Sequence, residues 1–176
     1  LDKIKRIKNE GIDAVLDTAN QAGVEHMLCV GVTLEDFPEM ERVVSGYDNI
    51  SMSCGVHPLY MKNSRYDYNK LREMCSRADV VAVGETGLDY YYDKDQIKAQ
   101  QESFAVHIEV ANALSKPLII HTRDAREDTI GMLKEGQADK CKGVLHCFTE
   151  TREMAEKALD LGFYVSISGI VTFNSA

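Results

Sequence analysis

No apolar run in this sequence approaches the ~18 residues that mark a membrane-spanning helix, so no helical membrane segment is expected. The charged start, LDKIKRIKNEG, has no apolar stretch behind it and does not read as a signal peptide. It also lacks an initiator methionine, which points to residues upstream. Paired cysteine spacing is missing too. Cys29, Cys54, Cys75, Cys141 and Cys147 are odd in number, and no two stand as C-x-x-C. Several lie in apolar runs, where a thiol behaves as a small hydrophobe, so the expectation is a reducing cytoplasm without a disulfide framework. Excess positive charge is absent, because the formal net charge is −8. Binding of nucleic acid by broad phosphate neutralisation is thereby disfavoured, and any phosphate must be met locally by a metal or a few arginines. The cluster Lys3, Lys5, Arg6 and Lys8 reads as a solvated helix face.

What is present is an ordinary globular composition, 44% apolar over 176 residues, enough for one domain spanning 1–176. Strand-like and helix-like runs alternate to the end. The strand candidates are His26–Val30, Ile50–Gly55, Val80–Gly84, Pro117–Ile120, Gly143–Leu145 and Phe163–Ser168. Most are short and nearly continuous in apolar residues, as strands buried on both faces should be. Helical stripes occupy Leu34–Ser45, Asp95–Leu114 and Thr151–Leu161, with Gly23 and Gly162 placed to end helices. Repeated strand–helix units imply a parallel sheet, either doubly wound and open or closed as a (β/α)8 barrel. A dinucleotide-binding open sheet would carry a glycine-rich loop after its first strand, and GVTLEDF after Val30 is not one. The barrel is therefore expected.

Four successive strand candidates finish in a polar, ligand-bearing residue. CGVHP gives His57, VVAVGETGLDY gives Glu85, PLIIHTRDA gives His121 and GVLHCF gives His146. The intervals of 28, 36 and 25 residues are each close to one strand–helix unit. A lone histidine at a strand end is usually structural, and a lone glutamate there usually caps or pairs. Four at equivalent positions would converge at the C-terminal mouth of a parallel barrel. Two or three imidazoles with a carboxylate make a set of metal ligands suited to Zn²⁺, Mn²⁺ or Fe²⁺, and to Mg²⁺ where water and carboxylate dominate. Two ions would clamp the attacking and leaving oxygens of a phosphodiester. His26 begins a strand and His107 sits mid-helix, so both read as structural. Cys147 adjoins His146 and reads as packing, since neighbours on a strand point to opposite faces.

Taken together, CGVHPL, VAVGETGLDYYY, QQESF, KPLIIHTRDA, GVLHCFTETRE and LGFYVSISGIVTF resemble the TatD family of metal-dependent deoxyribonucleases. The resemblance runs from about Leu28 to the last residue. It implies a TIM-type barrel and exonucleolytic hydrolysis of DNA phosphodiesters at single-stranded ends, with one or two divalent ions, Mg, Zn or Mn. It also implies that Glu85 is a bridging metal ligand, that His121 and His146 bind metal, and that His57 works at or beside the metals and the scissile phosphate. Two elements of the family pattern are absent, an H-x-H pair on the first strand and an E-T-D segment beyond GIVTF. A complete barrel takes roughly 250 residues. The chain is thus expected to be a portion of a longer α/β barrel, about six units with the first and last strands missing and sticky edges exposed.

Three further assignments stay open at this level. Arg123 either neutralises a phosphate or pairs with Asp124 or Glu127. Asp89 either orients a ligand or caps the following loop. Tyr90, Tyr91 and Tyr92 either pack or stack bases. Rival functions are hydrolysis of another ester or amide, and a non-catalytic protein stabilised by metal.

Overall fold

The computed structural model describes residues 11–62, 64 and 66–174. The cluster Lys3, Lys5, Arg6 and Lys8 falls outside the described residues. The chain runs α1 (Ile12–Gln21), β1 (Met27–Cys29), α2 (Phe37–Val44), β2 (Ile50–Cys54), α3 (Tyr68–Ser76), β3 (Val80–Asp89), α4 (Ile97–Leu114), β4 (Leu118–Arg123), α5 (Arg126–Glu135), β5 (Gly143–Leu145), α6 (Arg152–Asp160) and β6 (Tyr164–Val165). Short 3₁₀ turns sit at Pro58–Tyr60, Lys94–Gln96 and Gly169–Thr172.

All strand pairs are parallel, and the order across the sheet is β1-β2-β3-β4-β5-β6. A doubly wound sheet reverses its order at a switch point. This one never does, so each strand advances the sheet in the same sense, as in a (β/α) barrel. Among the described residues β1 and β6 form its edges. No disulfide joins cysteines among the described residues, and no described helix is long and apolar enough to cross a membrane.

The helices form where apolar spacing and caps agree. Thr151 accepts a hydrogen bond from the Met154 amide and starts α6. Gly162, at φ +81°, turns the chain out of it while the Phe163 amide returns to Ala158 O. Gly23, at φ +83°, ends α1 similarly. Two helices, α3 and α5, lie outside the stripes read from the sequence, although Tyr68, Leu71, Met74 and Cys75 of α3 recur at helical spacing. α3 buries only Leu71 and Cys75 and is started by the Asp67 side chain, which accepts from the Lys70 amide. α5 buries Thr129, Ile130 and Leu133.

The core is one cluster between the sheet and its helices. α4 packs chiefly on β3, burying Phe104, Ile108, Val110 and Ala111. Each large apolar side chain so buried contributes about 1.5–3 kcal/mol. β3 is the longest strand and is buried at every residue except Val81. It extends five residues beyond the expected Gly84, through Glu85 to Asp89. The Gly84–Glu85 peptide is cis, and the register against β4 shifts between Val83 and Thr86. β4 likewise runs on to Arg123, so His121 lies within it rather than after it. β6 is shorter than Phe163–Ser168, keeping only two residues. Gly87 sits at φ +127°, and a Cβ there would lie 2.0 Å from His121 O. A bare backbone at this point lets β3 and β4 close up beside the site.

Candidate metal centre

The strand ends deliver their polar side chains to one place. His57 Nε2 lies 4.0 Å from Glu85 Oε1, His121 Nδ1 lies 3.9 Å from it, and His146 Nδ1 lies 2.9 Å from it. Donor atoms of His57, Glu85 and His121 all fall within 4.8 Å of one another. The His57 and His121 rings stand with centroids 4.4 Å apart, tilted by 55°.

Backbone hydrogen bonds fix each element. The Glu85 amide donates to Gly31 O at 2.8 Å, tying β3 to the loop after β1. The His57 amide donates to Val32 O in the same loop at 2.9 Å. The His146 amide donates to Ile120 O at 2.8 Å, holding the end of β5 against β4.

Partners then settle the ring tautomers. The Asp89 side chain, fully buried, accepts from His121 Nε2 through its Oδ2 at 2.9 Å. The His121 Nδ1 lone pair is left facing Glu85. His57 Nδ1 accepts from the Leu59 amide at 3.2 Å, so in the neutral ring Nε2 carries the proton. Burial, then the neighbouring His121, push this ring down to about 4 against the pull of Glu85 and Asp89. His57 therefore stands neutral near pH 7, with an N–H directed into the site. Burial pushes the Glu85 carboxyl up. The bond from His146 and the charges of His57, His146 and His121 outweigh it and hold the carboxyl below its ordinary value. His146 is raised by its bond to Glu85, against burial.

Asp89 does both things the sequence left open. Its Oδ2 holds His121, and its Oδ1 accepts from the Tyr91 and Tyr92 amides at 3.1 and 2.8 Å. Behind it, Gln100 of α4 accepts from the Asp89 amide at 2.8 Å and donates to Asp89 O and Asp93 O at 3.1 and 3.2 Å. His107, one helical face along, accepts from the Val56 amide at 3.0 Å and donates from Nδ1 to Ser103 O at 2.7 Å. Gln100, Ser103 and His107 are buried polar residues on the face that packs on β3. The sequence reading missed Gln100 as a support, though polar residues recurring at helical spacing amid Phe104, Ile108 and Ala111 carry that signal.

A divalent cation fits this donor set. A lone pair of His121 and an anionic oxygen of Glu85 face each other at 3.9 Å, too far for a hydrogen bond. Imidazole nitrogen and carboxylate oxygen are both donors that a divalent cation would accept there. The donors that lie within reach of one ion are those of His57, Glu85 and His121, and His146 Nδ1 bonds Glu85 beside them at 2.9 Å.

Other predicted residues fall elsewhere. Arg123 forms no ion pair with Asp124 or Glu127 among the described residues. Its guanidinium lies 4.3 Å from the Tyr91 ring centroid and 4.6 Å from that of Tyr92. Tyr90 is anchored, its hydroxyl bonded to Asp128 at 2.6 Å and to Gln101 at 2.8 Å. Cys147 lies beyond β5 at φ +49° with Sγ 2.8 Å from Ser168 Oγ, so strand alternation is not what turns it from His146. His26 bonds Ser51 Oγ at 2.8 Å, outside the cluster. Clefts of 290–370 Å³ open between the outer helices, and none of those described is lined by the clustered histidines or Glu85. The chemistry gathers at the strand ends.

The chain is similar to known proteins in sequence and fold. Residues 1–176 match the family described as TatD related DNase. The uncharacterized metal-dependent hydrolase YcfH of Escherichia coli K12 is 51% identical over 168 residues, covering 96% of this chain and 63% of its own length. The 3'-5' ssDNA/RNA exonuclease TatD of Citrobacter rodentium is 33% identical over 161 residues, covering 90% of this chain and 61% of that protein. The crystal structure of YJJV, a TatD homologue from E. coli, superposes with a TM-score of 0.85 at 28% identity, over 93% of this chain and 64% of that one. The chain thus spans somewhat under two thirds of the relatives it matches.

Proposed function

Because the chain belongs to the TatD related DNase family, whose fold is an α/β TIM-type barrel, we propose that it carries the metal centre of a hydrolase that cleaves DNA phosphodiesters, acting at single-stranded ends. The observation that carries this reading is the convergence of three imidazoles on Glu85 Oε1.

When bound, one or two divalent cations supply an activated water and stabilise charge on phosphoryl oxygens. Mg²⁺, Mn²⁺ and Zn²⁺ all suit the donor types. Glu85, His121 and His146 hold the metal. Asp89 keeps the His121 lone pair aimed at it by accepting the proton on the far nitrogen. His57 is not a ligand in this tautomer. Its Nε2–H donates to a phosphoryl oxygen, a bond that strengthens as charge builds there. Arg123, two residues beyond His121 on the same face of β4, meets the remaining phosphate charge.

Purified protein supplied with Mg²⁺, Mn²⁺ or Zn²⁺ should release mononucleotides from single-stranded DNA, and EDTA should abolish the release. Glu85→Gln should lose bound metal and turnover with an unchanged far-ultraviolet spectrum. Full metal content with undiminished turnover in that variant would refute the assignment. A second reading, hydrolysis of another ester or amide, draws on the acidic net charge of −8 and on a 51% identical relative whose name specifies no substrate. Turnover of such esters with inert DNA would favour it.

A further inference from the structure

Tyr91 and Tyr92 are the part of this mouth that the metal chemistry leaves unused. Both are exposed, at 52% and 62%, whereas the adjacent Tyr90 is tethered through its hydroxyl. Their rings stand edge to face, centroids 4.7 Å apart at 89°. The Arg123 guanidinium lies over both. The cation and the edge-to-face contact between the rings still leave more than half of each residue to solvent, so packing does not account for them. Their position is fixed from below, since both backbone amides bond the carboxylate that holds His121. Arg123 lies one strand repeat, roughly 7 Å, outward of His121. That is comparable with the span from a phosphate to its own base.

We infer that Tyr91, Tyr92 and Arg123 form a nucleobase-stacking subsite beside the metal centre, seating the base next to the scissile phosphate. The inference rests on the DNA reading above and names how that substrate is gripped. A chain of net charge −8 cannot gain affinity from a broad basic groove. Stacking needs no net charge and tolerates any base, because every base has a π face. Arginine suits the join, since its guanidinium stacks on rings while its N–H groups reach phosphate oxygens.

The test is fluorescence anisotropy with a labelled ten-nucleotide oligothymidylate and its counterparts abasic at the 3' or the 5' end, in Ca²⁺ to hold turnover low. The wild-type protein should bind the fully based strand on the order of ten-fold more tightly than one abasic counterpart. Tyr91→Ala/Tyr92→Ala should bind all three alike, at the abasic level. Tyr91→Phe/Tyr92→Phe should keep the discrimination, which separates a lost ring from a lost fold. Discrimination that survives the double alanine change overturns the subsite. Equal wild-type binding of all three strands overturns it while leaving phosphodiester hydrolysis intact. Failure to bind any strand overturns both readings together.

Discussion

At the scale of the residue, tautomers separate roles that residue types alone confuse. His57, His121 and His146 are the same side chain at equivalent strand ends, yet only His57 spends its Nδ1 on a backbone amide. His57→Ala is therefore expected to keep its metal by mass spectrometry while kcat falls on the order of 10²-fold, the usual cost of removing one oxyanion donor. Loss of metal alongside turnover would place His57 among the ligands. Asp89→Asn is the complementary case. An amide cannot accept from His121 and from both loop amides as the carboxylate does. Zinc affinity by equilibrium dialysis should fall 10- to 100-fold, with roughly this range expected for a lost ligand-orienting group. Unchanged affinity would reduce Asp89 to a loop cap. Glu85, His121 and His146 were legible in the sequence because each follows or interrupts an aliphatic run, and His57 because it follows ISMSCGV one strand–helix unit before Glu85. The split between donor and ligand was not, since it depends on amides brought in by folding.

At the scale of the element, β3 shows why the boundaries were harder. Gly84, Glu85 and Gly87 look like a turn, and glycine normally punctuates. Here the missing side chains serve close approach. A Cβ on Gly55 would lie 2.6 Å from Gly84 Cα, and one on Gly87 would meet β4. The strand continues through residues that read as its end. α5 has no clear stripe, and the short one of α3, Tyr68, Leu71, Met74 and Cys75, was overlooked. α4 was legible as a helix, and the polar spacing that marks its buried face was there but overlooked. That face has a consequence for stability. Burial pushes His107 down to about 4, while in the unfolded chain it titrates at its ordinary 6.5. Between those values the unfolded state binds more protons, so stability is whole above pH 6.5 and declines as pH falls toward 4. The loss is on the order of 3 kcal/mol. Urea unfolding of wild type and His107→Gln at pH 7 and pH 4.5 should show a shallower acid dependence in the variant. Parallel curves would mean that His107 is protonated in the fold.

At the scale of the whole molecule, alternation of strand and helix left an open sheet and a barrel in play, the absent glycine-rich loop favoured the barrel, and the unreversed strand order agrees with it. What the pattern could not supply was closure, which depends on partners for β1 and β6. Leu28 on β1 and Tyr164 on β6 are exposed, and Ile167, Val171 and Phe173 continue the apolar surface past β6. Unpaired edges with apolar flanks template further pairing. A 1–176 polypeptide on its own should self-associate with rising concentration in sedimentation velocity, and Tyr164→Ser/Ile167→Ser should weaken that association. A strictly monomeric 1–176 polypeptide would show the edges to be innocuous. One bond deep in the same architecture offers a probe of the site that needs neither substrate nor metal. The Val56 amide is bonded to an imidazole of α4 and is covalently next to His57. Its deuterium exchange rate would register any loosening of the helix from the sheet at the residue where such slack first displaces a working ring.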